Sequence, residues 1–166
     1  MIRIQPYDPS HQQGVIDTIL PIQQEEFKVP ITLADQPDLE GIPGYYQSGA
    51  GNFWVALADG CGTGEVVGTI ALCDFGEGRA ALRKMFVKGF YRGPQHGVAK
   101  RLLDTLLAWA REKGLREIYL GTTAVMPAAH RFYEKNGFEL IDAAQLPPAF
   151  PRMAVDTRFY RKQLPG

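Results

Sequence analysis

The chain has 166 residues, 45% hydrophobic and 22% charged, the make-up of a globular protein able to bury a core without disulfides. Eighteen basic residues balance eighteen acidic ones, which excludes a dedicated polyanion binder, since such affinity comes from many neutralised phosphates. Three scattered histidines (His11, His96, His130) and two cysteines without CxxC spacing give no metal site, and no apolar run is long enough to span a bilayer or act as a signal peptide.

A single cytoplasmic domain over 1–166 is therefore expected, with Cys61 and Cys73 reduced and neither nucleic acid nor membrane as a partner. Ile2 and Ile4 alternate with polar residues in a short first strand that Pro6 ends. Asp8-Pro9-Ser10 offers caps for a helix over roughly 11–27, with Pro21 inside it as a kink or split. The stretch from Thr32 to Gln47 is polar and broken by Pro37, Gly41, Pro43 and Gly44, a pattern that covers a site more often than it builds a core. Asn52–Ala58 and Glu65–Phe75 are strands joined by DGCGTG, which reads as a hairpin turn because a strand, not a helix, follows it. Gly76-Glu77-Gly78 turns the chain again into a strand from Ala80 to Val87, which completes an antiparallel meander.

That fourth strand does not alternate cleanly, because Leu82 and Met85 are three apart with Arg83 and Lys84 between them. A β-bulge is one reading, and an edge-like strand with two solvated basic residues is the other. Seven basic residues and no acid lie between Arg79 and Arg101, a local concentration in a neutral chain. The Gly-rich turn within it leads into a strongly amphipathic helix from Gly97, with Val98, Leu102, Leu106 and Trp109 on one face and Gly114 as its C-cap. Unpaired N–H groups at such a helix start favour an anion, phosphate above all. A strand at Glu117–Gly121 follows, which makes the fourth and fifth strands parallel through a crossover. A helix from Met126 to Lys135 opens at Pro127 and ends at Asn136-Gly137, then come strands at Phe138–Ile141 and Met153–Arg161. The predicted fold class is α/β (α+β): a mixed sheet of about six to seven strands with an antiparallel N-terminal meander, flanked by about four helices.

Ala129 to Phe138, AHRFYEKNGF, resembles the signature of the GNAT superfamily of N-acetyltransferases, and MFVKGFYRGPQHGVAKRLLDTLL is similar to the same family's acetyl-CoA motif. The resemblance implies the GNAT fold and transfer of an acetyl group from acetyl-CoA, with no metal, to a primary amine of a small molecule or peptide. It implies a pyrophosphate cradle of backbone amides from Gln95, His96, Gly97, Val98, Ala99 and Lys100, with Gly97 and Ala99 at the family's small positions. It also implies pantetheine pairing along Met85, Phe86 and Val87, further cofactor contacts from Arg92, Gly93, Ala129 and Phe132, and Tyr133 as the acid for the departing thiolate. Homodimers are common in the family.

Three positions depart from the pattern. Pro94 stands where Arg or Gln is usual, and the turn is two residues longer than the short form; Met126 replaces a frequent asparagine; and Ala81 replaces the strand-four glutamate that serves some members as base. The base stays unassigned, with Glu25, Glu26 and Asp156 as candidate partners for a cationic acceptor. Ala81 and Met126 favour an alternative: a non-catalytic acyl-CoA-binding or sensing module on the same fold.

Overall fold

A computed structural model describes residues 1–59 and 64–165. The turn expected at 59–64 therefore falls, with Cys61, almost wholly outside the described residues. Four strands form the antiparallel meander: β1 (Ile2–Pro6), β2 (Asn52–Ala58), β3 (Glu65–Gly76) and β4 (Arg79–Val87). β5 (Glu117–Thr122) lies parallel to β4, and β6 (Glu139–Ile141) and β7 (Arg158–Gln163) complete a seven-stranded sheet of order β1-β2-β3-β4-β5-β7-β6.

Helices cover both faces. α1 (Gln12–Pro21) and the short α2 (Ile42–Tyr46) bury Val15, Ile19, Ile42 and Tyr46 against Phe53, Val55 and Ala71. On the opposite face α3 (Val98–Glu112) buries Val98, Leu102, Leu103, Leu106, Leu107 and Ala110 against Ile70, Leu72, Ala80 and Leu82. α4 (Pro127–Lys135) joins the α3 face through Tyr133. Both α3 and α4 end on a glycine with positive φ, Gly114 at 77° and Gly137 at 89°. In each case the next residue closes the helix, Leu115 N–H donating to Ala110 O (3.0 Å) and Phe138 N–H to Tyr133 O (3.0 Å).

The first helix splits at Pro21 as expected, and two other details differ from expectation. Pro21 ends α1, and a single π-type turn over Ile22–Glu26 follows, closed by Phe27 N–H donating to Ile22 O (3.1 Å). Proline has no N–H to continue the α-helical ladder, so the helix splits there. The polar stretch 32–47 does not merely cover a site: Leu39, Ile42 and Tyr46 are fully buried core. The last strand begins at Arg158, not at Met153, so 151–157 is a loop that folds over the sheet and buries Asp156.

The site is positioned by what happens at β4. Pairing with β5 covers only Arg79↔Glu117, Ala80↔Ile118 and Ala81↔Tyr119. Beyond that, β4 stays with β3 and β5 with β7, so the parallel strands diverge and leave a wedge between Leu82–Val87 and Leu120–Thr122. The register of β3 against β4 slips between Thr69↔Phe86 and Ala71↔Arg83, and within the slip Lys84 has φ of 53°. This is a β-bulge, which adds local twist to the strand. It also interrupts the alternation once. Leu82, Met85 and Val87 pack toward α3 and Phe86 toward α1, while Arg83 and Lys84, though consecutive, both approach the α2 side.

Candidate active site

Two arms of empty space meet in the wedge. One, about 810 Å³ including its open mouth, is apolar and runs between Ile22, Phe27, Met85–Val87, Ala99 and Phe132. The other, about 780 Å³ with its mouth, is more polar and is lined by Gln23, Arg83, Lys84, Thr122, Thr123, Phe150, Met153 and Asp156 among others. Met85, Phe86, Met126, Ala129 and Tyr133 line both, so they mark the junction. A long thin ligand with a reactive end fits the first arm, and a small polar molecule fits the second.

The mouth of the apolar arm lies by the turn before α3. Gly93 and Gly97 have φ of 101° and 61°, and His96 and Gly97 N–H both donate to Gly93 O (3.2 Å each). Gly97 in this left-handed conformation caps the helix, and the first amide bonded back into it is Arg101, to Gly97 O (3.0 Å). The N–H groups of Val98, Ala99 and Lys100 therefore have no helical acceptor and present the positive end of the dipole. Gly93, Pro94 and Gln95 are exposed, and the His96 ring packs among Phe90 (5.6 Å) and Tyr91 (5.8 Å).

Side-chain charge contributes less here than the sequence implies. Of the seven basic residues from Arg79 to Arg101, five are ion-paired: Arg79 with Glu117, Lys84 with Asp38, Lys88 with Glu65 and Arg92 with Glu26 on other elements, and Lys100 with Asp104 one turn along α3. Arg92, expected among the cofactor contacts, is bidentate on Glu26, donates Nε–H to Val87 O (2.7 Å), and lies over the Phe27 ring. Glu26 is thereby the partner of Arg92, not a free carboxylate for an acceptor. Glu25 lines a separate surface hollow with Asp17 and Lys88.

Tyr133 is 6% exposed and rests against Phe132, Phe138 and Tyr160 at 5.7–6.0 Å. Burial pushes its phenol far above the usual range, so it keeps its proton at every physiological pH. No hydrogen bond to a described residue acts on its hydroxyl, only burial and the neighbouring Tyr160.

Lys84 is the feature that sequence reasoning missed. Its ammonium is buried, bonded to Gln36 and 3.5 Å from Asp38, which also accepts from the Tyr46 hydroxyl. Burial pushes Lys84 down to about 8, against the opposing pull of Asp38. The irregular spacing of Leu82 and Met85 was the available signal. Ala81 is fully buried and brings no carboxylate. Asp156, by contrast, lines the polar arm, accepts from Met153 N–H (3.0 Å), and is pushed up by burial, with Arg83, Arg152 and Lys84 opposing. Its Oδ2 lies so close to Gly121 that a Cβ there would be 2.5 Å away. Thr123 Oγ1, on the same arm, is buried with no partner among the described residues. No group of three or more His, Cys, Asp or Glu able to hold a metal occurs among the described residues.

Residues 16–138 match the model of the acetyltransferase (GNAT) family. The chain is 38% identical over 110 residues to the N-acetylaspartate synthetase of Xenopus tropicalis, covering 65% of this chain and 38% of that one. It thus spans about two fifths of the length of the curated relatives it matches first. Two crystal structures match over nearly their whole length. An acetyltransferase of the GNAT family from Staphylococcus aureus Mu50 is 39% identical with a TM-score of 0.93, covering 99% of this chain and 100% of that one. An acetyltransferase from Streptococcus agalactiae is 32% identical with a TM-score of 0.89, covering 98% of each.

Proposed function

The chain belongs to the acetyltransferase (GNAT) family, and from that premise we propose that it moves an acetyl group from acetyl-CoA to the primary amine of a small molecule. The observation that carries this reading is the meeting of the two arms at Tyr133, one leading to the free N–H groups of α3 and the other lined by a buried carboxylate. Acetyl-CoA supplies a thioester carbonyl for the amine to attack and a thiolate leaving group.

The chain's own groups account for the rest. Val98, Ala99 and Lys100 N–H groups hold the pyrophosphate, and no β5 partner occupies the outer edge of β4 at Met85–Val87, so its main chain is free to pair with amides of the pantetheine. Gly97 and Ala99 keep bulky side chains off the phosphates. Ala129 and Phe132 wall the slot, and the apolar lining excludes water from the thioester. Arg92, held on Val87 O and Glu26, fixes the strand–turn junction from outside the phosphate site.

Tyr133 donates its hydroxyl hydrogen to the departing sulfur. A phenol raised this far by burial is a weaker acid than a thiol of pKa about 8.5, so its contribution is a hydrogen bond that stabilises the thiolate more than complete proton transfer. Asp156 receives a proton from the attacking nitrogen, and its raised pKa makes it a better base than an exposed carboxylate.

The test combines binding with turnover. Acetyl-CoA at saturating concentration raises the melting temperature, and thiol release is then followed with a panel of amines headed by amino acids, since the synthetase relatives are named for N-acetylaspartate. Stabilisation without turnover on any amine would support the non-catalytic acyl-CoA-binding reading, for which the absence of a carboxylate at Ala81 speaks. Neither stabilisation nor turnover would overturn both.

A further inference from the structure

Two of the charges lining the polar arm, Arg83 and Asp156, form no ion pair with any described residue. The bulge at Lys84 brings two consecutive basic side chains to one side of the sheet, and only one of them is neutralised. Lys84 has Asp38 and Gln36. Arg101, the other basic residue of this stretch without a carboxylate, donates Nη1–H to Ile2 O (2.8 Å) on the far side of the molecule. Arg83 alone of the seven has neither hydrogen bond nor ion pair to any described residue. It is half-buried, its guanidinium carbon lies 6.0 Å from the centre of the Tyr46 ring, and it lines the polar arm.

Asp156, on the same arm, is 9% exposed, and Arg83, Arg152 and Lys84 all oppose the upward push of burial on its carboxyl without forming an ion pair with it. It has one backbone donor, Met153 N–H, and no cationic partner among the described residues. A guanidinium and a carboxylate thus line one cavity, each without a direct ion-pair partner among the described residues. Partly desolvated charges of this kind are costly to leave unmatched. The molecule that matches both at once carries a carboxylate and an ammonium. The planar guanidinium is suited to a bidentate grip on the first, and Asp156 to a single-point hold on the second.

We propose that the acceptor is a carboxylate-bearing primary amine of the amino-acid class, with its carboxylate on Arg83 and its amine directed by Asp156 toward the junction at Tyr133. This rests on the reading of the wedge as an acetyl-transfer site. In the transfer the C–S bond breaks and the C–N bond forms. One ammonium proton passes to Asp156 and on to solvent, and a second proton ends on the CoA sulfur. Arg83 takes no part in these exchanges and sets specificity.

The experiment compares neutral amino acids, whose only carboxylate is the one on Cα, with their α-amides and decarboxylated amines, and runs L-aspartate and L-glutamate alongside. Both kcat/KM and equilibrium binding by calorimetry in the presence of CoA are measured. Loss of a charge-assisted bidentate contact corresponds to about 10- to 100-fold. The wild-type protein is therefore expected to favour the carboxylate member of the preferred pair by about that factor, through KM more than kcat. Arg83→Met brings the ratio within each pair to about one, and Arg83→Lys, which keeps the charge but loses the fork, falls between; melting curves of both variants establish that they fold. Equal use of acids and amides by the wild type, or a preference that survives in Arg83→Met, overturns the proposal. Turnover of carboxylate-free amines in that case leaves the acetyl-transfer reading standing. Carboxylate-dependent binding abolished by Arg83→Met, with no turnover of any amine, would instead support Arg83 and overturn the transfer reading.

Discussion

Replacing Lys84 with methionine tests the buried cluster behind the bulge, through the dependence of stability on pH. In the folded protein the Lys84 ammonium titrates at about 8, whereas in the unfolded chain it takes the ordinary 10.5. Below pH 8 both states hold the proton, and above 10.5 neither does. Between the two the unfolded chain binds more protons, so stability rises with pH. At 1.36 kcal/mol per pH unit of separation, the wild type should gain about 2 kcal/mol on Lys84→Met between pH 7.5 and 9.5. Tyrosines and Cys73 also titrate differently on folding, but they do so in both proteins and drop out of the difference. Urea unfolding followed by fluorescence suits the measurement, because Trp54 and Trp109 form an edge-on pair 5.8 Å apart in the core. In the variant, Asp38 keeps the Tyr46 hydroxyl as its donor, so a folded protein is expected. A difference that stays flat from pH 7 to 10 would refute the reasoning, because the buried amine would then hold its proton as firmly as one in water.

Tyr133→Phe should lower kcat by about 10- to 100-fold, the loss of one hydrogen bond to a developing charge, measured by release of the CoA thiol. The melting temperature should stay within about 2 °C, because no hydrogen bond to a described residue acts on the hydroxyl removed; a fall in stability with unchanged kcat would make Tyr133 a packing residue. Gly121→Ala places a Cβ 2.5 Å from Asp156 Oδ2 and 2.7 Å from its Cγ, so the carboxylate must leave its position. The expected result is a loss of kcat/KM of about tenfold or more, with acetyl-CoA affinity within about twofold by calorimetry; unchanged turnover would remove Asp156 from the mechanism. Gly51→Ala meets backbone instead, the carbonyls of Tyr46 and of Leu72, the latter at 2.6 Å. Neither atom can move independently of its strand or helix, so a loss of about 3 kcal/mol or more in denaturation is expected, and a variant of wild-type stability would contradict that packing.

Most of the fold was legible because its strongest elements are local. The repeat of Val98, Leu102 and Leu106, and the Pro127 start and Gly137 stop of α4, depend on neighbours three and four residues away. The crossover that makes β4 and β5 parallel follows from the order strand, helix, strand. What escaped depends on distant partners. Arg92 and Glu26 are 66 residues apart in sequence and Lys84 and Gln36 are 48 apart, so no window of the chain displays either pair. The polar appearance of 32–47 concealed a core segment, because Asp38 and Gln36 are buried only by virtue of Lys84, Tyr46 and Gln23. The proposed site draws on the motif at Gly97, Ala99 and Tyr133, while the role proposed for Arg83 required the partners of its six basic neighbours. One irregular step, from Leu82 to Met85, did announce the bulge.

The placement of β7 has a bearing on how the molecule is made. β6 leaves α4 as an outer strand of only three residues whose sole neighbour is β7, and β5 likewise has its far edge open until β7 arrives. During synthesis β5 can pair with β4 at Arg79–Ala81, but β6 cannot join the sheet before residues 158–163 emerge. The meander and α3 can assemble first, the turn before α3 included. The loop bearing Asp156 is fixed only once residues 158–163 pair with β5. The carboxylate wall of the wedge is thus the part of the proposed site whose position depends most on the late strand β7.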